Sequence, residues 1–186
     1  MLREPTLADV NSIVAMLKSA AIDGHFLDLD QMNGRQGLLA ELCAHGITQK
    51  KRPASGGEEL ACRYWVWELE GTVVGYALFS VIDSRIPTFV FPKRCVELHQ
   101  FVIDPKYRGR HEGRTFLTAL LQCQRYADKD VFARCLPASV GFISLAIQAG
   151  FKNLGIARRH SETLIYFERV GASARVKSRL QTAGMI

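Results

Sequence analysis

Residues 103–117, Ile-Asp-Pro-Lys-Tyr-Arg-Gly-Arg-His-Glu-Gly-Arg-Thr-Phe-Leu, hold the densest chemistry of the chain. Within 105–114, Lys106, Arg108, Arg110 and Arg114 stand against one acid, Glu112, with Gly109 and Gly113 among them. The pattern predicts a strand that ends, a basic turn, and a helix that begins near Gly113. Backbone N–H groups at a helix start have no intrahelical partner, and the helix dipole is positive there. Anions bind at such ends. Glycines let the backbone approach phosphate oxygens, and arginines add charge-assisted donors. A diphosphate ligand on Arg108–Arg114 follows. On charge alone a solvated loop explains the same residues, so the surrounding elements must decide.

Those elements are legible from hydrophobic spacing. Cys95–Ile103 reads as the strand that feeds the turn, and period-two alternation puts Glu97, His99, Phe101 and Ile103 on one face. Arg114–Tyr126 has helical spacing, with Leu117, Leu120 and Leu121 on one side. Val131–Leu136 reads as a strand and Ser139–Ala149 as a helix, with Ser139 as N-cap and Gly150 as stop. Phe151–Arg158 and Glu162–Val170 are two further strands. Upstream, Leu2-Arg3 reads as a short strand. Thr6 caps a helix carrying Val10, Ile13, Val14 and Leu17, with Asp9 three residues after the cap. A second helix is predicted over Gln36–His45, and Gln49–Glu59 as a polar loop. Leu60–Leu69 and Thr72–Val81 form a hairpin about Glu70-Gly71. In this hairpin Trp65 and Trp67 alternate with Tyr64 and Val66, as in a packed sheet. The order β-α-α-β-β-β-α-β-α-β-β predicts a mixed α/β (α+β) fold, with a mainly antiparallel central sheet flanked by helices. One domain is expected over residues 1–170, with a basic tail at 171–186.

The segment from Ile103 onward resembles the acetyl-CoA motif of the GCN5-related N-acetyltransferases (GNAT), Gln/Arg-x-x-Gly-x-Gly/Ala. Arg108 fills the first position and Gly113 the last, while His111 replaces the usual glycine at the fourth. Downstream, Leu145-Ala-Ile-Gln-Ala-Gly-Phe151 is similar to the family's Leu-Tyr-x-x-x-Gly-Phe, with Ala146 in the tyrosine position. The resemblance covers about residues 2–170 and implies transfer of an acyl group from coenzyme A to an amine, without a covalent enzyme intermediate. It implies that the N–H groups of Arg108, Gly109, Arg110, His111, Gly113 and Arg114 hold the pyrophosphate of acetyl-CoA. The backbone of Phe101 and Ile103 would pair with the pantetheine arm, and the Phe101 N–H would meet the thioester oxygen. Ser139 stands where the family often has an asparagine touching the cofactor; as a residue it reads equally as an ordinary cap. His111 is expected to keep its N–H in place and turn its side chain outward.

An attacking amine must lose a proton. Glu97 matches, by its spacing before Ile103, the glutamate that serves as base in histone-acetylating members. It lies about 13 Å from Phe101 along an extended strand and His99 about 7 Å, so Glu97 would act through water. The unperturbed His value of ~6.5 suits a base near neutral pH. For each, a polar residue lining a wet cleft is the plainer alternative. Ala146 supplies no hydroxyl to protonate the thiolate, and Ser144 points elsewhere on its helix.

Composition narrows the class. No stretch approaches the ~18 apolar residues of a membrane span. The opening Met1–Pro5 lacks the apolar core of a secretory signal. Five scattered cysteines without a CxxC pair suggest neither a zinc site nor a disulfide framework, and a cytoplasmic setting is expected. His25, His45 and His160 share no ligand spacing, so no metal is assigned. Residues 1–104 carry 10 Lys/Arg against 13 Asp/Glu, which, with Asp23, Asp28 and Asp30, tilts the acceptor toward a basic small-molecule or peptide amine. A catalytically silent domain that binds CoA or a protein partner is the alternative, motivated by His111 and Ala146. A nucleic-acid role ranks last, because the basic residues of 150–186 are dispersed. The acceptor, the acyl length and whether the chain forms a homodimer stay open.

Overall fold

A computed structural model describes residues 1–24, 43–44, 47, 63–81, 95–123, 126–159 and 162–171. Its strands are β1 (Leu2–Arg3), β2 (Arg63–Leu69), β3 (Thr72–Val81), β4 (Cys95–Ile103), β5 (Asp130–Cys135), β6 (Lys152–Arg159) and β7 (Glu162–Arg169). Its helices of more than one turn are α1 (Val10–Ile22), α2 (Glu112–Gln122) and α3 (Val140–Gln148). The strands form one sheet in the order β1-β2-β3-β4-β5-β7-β6, antiparallel throughout except for the parallel β4–β5 pair. The mixed, mainly antiparallel fold expected from the sequence is the one observed. The predicted helix Gln36–His45 and loop Gln49–Glu59 lie outside the described residues, except that Cys43 and Ala44 are helical.

Alternation along the strands sends side chains into two cores. Val66, Tyr76 and Val102 meet Ile13, Val14 and Leu17 of α1 on one face. Trp65, Ala77, Phe79, Val96, Leu98 and Ile103 meet Phe116, Leu117 and Leu120 of α2 and Ala146 of α3 on the other. Burying one such leucine or phenylalanine contributes roughly 1.5–3 kcal/mol. The Trp65/Trp67 alternation is therefore core packing: Trp65 is buried and donates from its indole to the Tyr126 hydroxyl at 2.9 Å.

Three local departures from the sequence reading matter. Helix α2 starts at Glu112, two residues before the expected Arg114, and stops at Gln122 rather than Tyr126. Thr6 opens a one-turn 3-10 helix, Leu7–Asp9, that leads into α1. Its N–H and hydroxyl both donate to the Asp9 carboxylate, at 2.6 and 3.0 Å. Ser139 sits at the start of α3, but its side chain makes no capping bond to the helix; it is buried. No described helix is long and apolar enough to cross a membrane.

Candidate active site

The parallel ladder between β4 and β5 is short. It joins Cys95 to Asp130, Val96 to Val131, Glu97 to Phe132 and Leu98 to Ala133, and then stops. Beyond it, among the described residues, Gln100–Ile103 pair with β3 alone and Arg134–Cys135 with β7 alone. The two strands part, leaving backbone edges that face an opening. A bulge marks the parting. Leu78 pairs with Gln100 and Phe79 with Leu98, so His99 is the extra residue of the bulge. An extra residue bends its strand and increases the local twist, which turns the end of β4 away from β5.

The bulge also corrects the expected side-chain phase. Glu97, His99, Phe101 and Ile103 do not share one face. Val96 and Leu98 before the bulge, and Phe101 and Ile103 after it, all pack toward α2 and α3. Phe101 stacks on Phe116 at 5.2 Å and lies 6.0 Å from Phe142. Glu97 lies on the α1 face of the sheet, with Ser80 and Phe132 as its register partners. Period two holds only for an unbroken ladder, and the inserted residue shifts it by one.

Glu97 is buried at 8% exposure and ion-paired with Arg134 Nε at 2.9 Å. His99 Nδ1 stands 3.9 Å from the same carboxylate oxygen, and His99 is exposed. The structure thus brings Glu97 and His99 together and adds Arg134, which the sequence reading missed. Arg134 lies two residues after Phe132, on the same face of β5. Nothing local in the sequence states that β5 lies beside β4.

At the far end of β4 the chain turns through Pro105–Tyr107 into α2. The Asp104 carboxylate accepts from the Lys106 N–H, and the Asp104 N–H donates to the Val74 carbonyl, which ties the turn to β3. Arg108 is committed to the protein: its N–H donates to Pro105, its Nε to the Ile103 carbonyl at 3.0 Å, and its Nη1 to Asp23 at 2.8 Å. It braces the turn, contrary to the expectation that its guanidinium is a phosphate donor. Asp23, expected near an acceptor pocket, is this brace; Asp28, Asp30, His25, His45 and His160 lie outside the described residues. The first helical bond at this end runs from the Thr115 N–H to the His111 carbonyl. The N–H groups of Gly109 to Arg114 donate to no protein carbonyl among the described residues. Arg110 and Arg114 are exposed beside them. The donor set suits a diphosphate.

Two torsions explain the glycine pattern. Gly109 has φ +74°, with open space where a Cβ would stand. His111 has φ +66°, the left-handed region that disfavours a Cβ. The position where the resemblance expects glycine is thus one whose backbone asks for glycine, and His111 adopts that conformation nonetheless. At Gly113 a Cβ would meet Ile103 and Leu145 at 3.5 and 3.6 Å, ordinary contacts that accept alanine.

Residues 39–138, more than half of the chain, match the sequence profile of the acetyltransferase (GNAT) family. The chain belongs to that family. A GNAT relative, the N-alpha-acetyltransferase RimI of Mycobacterium tuberculosis, is 32% identical over 111 residues. That match covers 58% of this chain and 65% of the relative, so the chain spans less than two thirds of the relative's length. Among solved structures, a GNAT acetyltransferase of Streptococcus agalactiae superposes with a TM-score of 0.66 at 16% identity, covering 91% of this chain and 94% of its own. A Salmonella typhimurium acetyltransferase, solved with its cofactor acetyl-CoA, superposes at 0.62 with 20% identity, covering 91% and 92%. Both show the GNAT fold.

The remaining GNAT positions are placed as follows. Ala146 is fully buried on the inner side of α3, and Ser144 is exposed and accepts from Gln148. Neither offers a hydroxyl to the opening. Cys135 ends β5 beside the opening, and burial pushes its thiol up to about 11. It is protonated near neutral pH and unsuited to attack a thioester.

Proposed function

We propose that this GNAT chain transfers an acetyl group from acetyl-CoA to an amine by direct attack, with the acyltransferase domain spanning residues 1–170. The observation that carries the reading is the parted β4–β5 pair, which opens toward a basic helix start whose N–H groups have no carbonyl acceptor among the described residues. The acetyl-CoA held by the Salmonella neighbour on the same fold supports it. Gly109, Arg110, His111, Gly113 and Arg114 hold the pyrophosphate through backbone N–H groups and two guanidinium side chains, and Arg108 braces them. The backbone edges of Phe101 and Ile103 pair with the pantetheine arm, and Ser139 lines the same end.

The amine nitrogen forms its bond to the thioester carbon as the carbon–sulfur bond breaks. The sulfur leaves as thiolate and takes a proton from solvent. The amine proton leaves through His99 and Glu97, whose Oε1 faces both His99 Nδ1 and Arg134 Nε. Much of the acceleration comes from holding the reactants in line. The acceptor is the amine of a small molecule or peptide, and the likeness to RimI makes a protein N-terminal α-amine the first class to try. The setting is the cytoplasm, where scattered cysteines stay reduced.

Calorimetry with CoA tests the binding half, and saturable binding is expected. Gly113→Asp, which places a negative charge at the helix start, weakens it. No binding by the wild type at millimolar CoA overturns the reading. Release of free thiol with N-terminal peptides, compared with polyamines, tests the transfer half.

A further inference from the structure

Glu112 is the one acid in the basic turn 105–114, and a carboxylate at a helix start competes with any anion for the same N–H groups. The structure shows where it goes. Glu112 is half-buried, and its Oε2 accepts from the Trp67 indole N–H at 2.8 Å. Trp67 stands on β2, 45 residues earlier, with its ring stacked on Phe116 at 5.9 Å. Glu112 and Phe116 are one helical turn apart, so both project from the same side of α2 toward the sheet. Close approach at this point depends on Gly75, where a Cβ would stand 3.0 Å from Phe116 and 3.1 Å from the Cβ of Trp67. The indole is a donor only, so it satisfies a carboxylate without offering an acceptor of its own.

We propose that Trp67 is a positioning residue for the CoA pyrophosphate: its indole N–H holds the Glu112 carboxylate against the sheet and keeps the turn's one negative charge out of the anion site. This inference rests on the reading of the turn given above. Without the indole donor, the half-buried carboxylate has no other hydrogen-bond donor among the described residues. It rotates toward water and the N–H groups of its own helix start, where it acts as an internal competitor.

Calorimetric titration of CoA into the full chain tests this with wild type, Trp67→Phe, Glu112→Gln and the double variant. Phenylalanine keeps an aromatic ring for the stack and removes the donor, and the Glu112→Gln background controls for the smaller ring. Trp67→Phe is expected to weaken CoA on the order of tenfold, the scale of one unit charge at a few ångströms through water. The deficit shrinks in 0.5 M salt, where screening is strong. In the Glu112→Gln background, where no charge is left to displace, the Trp67→Phe change costs little. Glu112→Asp, whose shorter arm cannot reach the indole but keeps its charge, weakens CoA in the intact Trp67 background, and serves if Trp67→Phe does not fold. Wild-type affinity in Glu112→Asp and Trp67→Phe overturns the inference while leaving the CoA site standing. A Trp67→Phe deficit that persists with Glu112→Gln also overturns it, because Trp67 then acts through packing. Absence of wild-type binding removes the reading of the turn itself, and the inference with it.

Discussion

At the scale of single residues, the left-handed torsion of His111 is the clearest departure from the family motif. A Cβ in that conformation costs roughly 1–2 kcal/mol, and glycine's extra freedom in the unfolded chain returns part of that. His111→Gly is therefore expected to leave stability unchanged or raise it by up to about 1 kcal/mol, read from urea unfolding. CoA affinity should hold or improve; a large loss shows that the imidazole itself touches the ligand. Glu97 and His99 make a second residue-scale case. Glu97→Gln and His99→Ala should each lower the rate, by up to ~100–10,000-fold where general base catalysis is lost entirely. An unchanged rate in the double variant removes both from the catalytic set. Cys135 should be dispensable: with its thiol held at about 11, alkylation of its peptide at pH 7.5 should be slow, and Cys135→Ala should keep transfer within about threefold.

At the scale of elements, one charge cluster ties the start of the chain to the sheet. Arg3 bonds Asp9 at 2.8 and 2.9 Å and Glu68 at 2.6 Å, linking β1, the turn before α1 and the end of β2. The Arg3 guanidinium, helped by the Thr6 donors, draws the Asp9 carboxyl from 3.8 down to about 2. A depressed carboxyl value means that its contribution is present in full above the ordinary value. That contribution drains away as pH falls from about 4 toward 2. Asp9→Asn should cost about 2 kcal/mol at pH 7 and flatten stability across that acid window, measured by urea unfolding at stepped pH. The meeting of β2, β3 and α2 is tested by Gly75→Ala. The new methyl would stand 2.9 Å from the Ile103 side chain and 3.1 Å from the Trp67 Cβ, so overpacking of about 1–3 kcal/mol is expected.

At the scale of the molecule, the sheet holds together on both sides of a parting. Four strands, β1 to β4, lie on one side, and β5, β7 and β6 on the other, joined by the four residue pairs from Cys95 to Leu98. A ligand that pairs with both edges adds bonds across this line. Saturating CoA should then raise the melting temperature, by the equivalent of about 2.7 kcal/mol at a hundredfold excess over Kd. Gly113→Asp should abolish the shift at the same CoA concentration. An equal shift in that variant places CoA somewhere other than the helix start.

The sequence by itself determined the strands from β2 onward, the two helices that follow β4 and β5, and the basic turn between Ile103 and α2. Each rests on local spacing: alternation, the 3.6-residue period, and glycines beside arginines. It also named the fourth motif position, His111, as anomalous, though not why; the reason is a torsion. Only the tertiary structure decided which residues meet. A bulge at His99 depends on how β3 pairs with β4, and it moved Glu97 to the face opposite Phe101. Arg134 reached Glu97 because β5 lies beside β4, and Trp67 reached Glu112 because α2 packs across β2. Arg108, basic and in the motif, turned inward to Ile103 and Asp23. Side-chain periodicity is set by the backbone within a few residues, whereas register and partnership are set by packing between segments far apart in the chain. The sequence therefore carries the site's parts, and the fold assigns their partners.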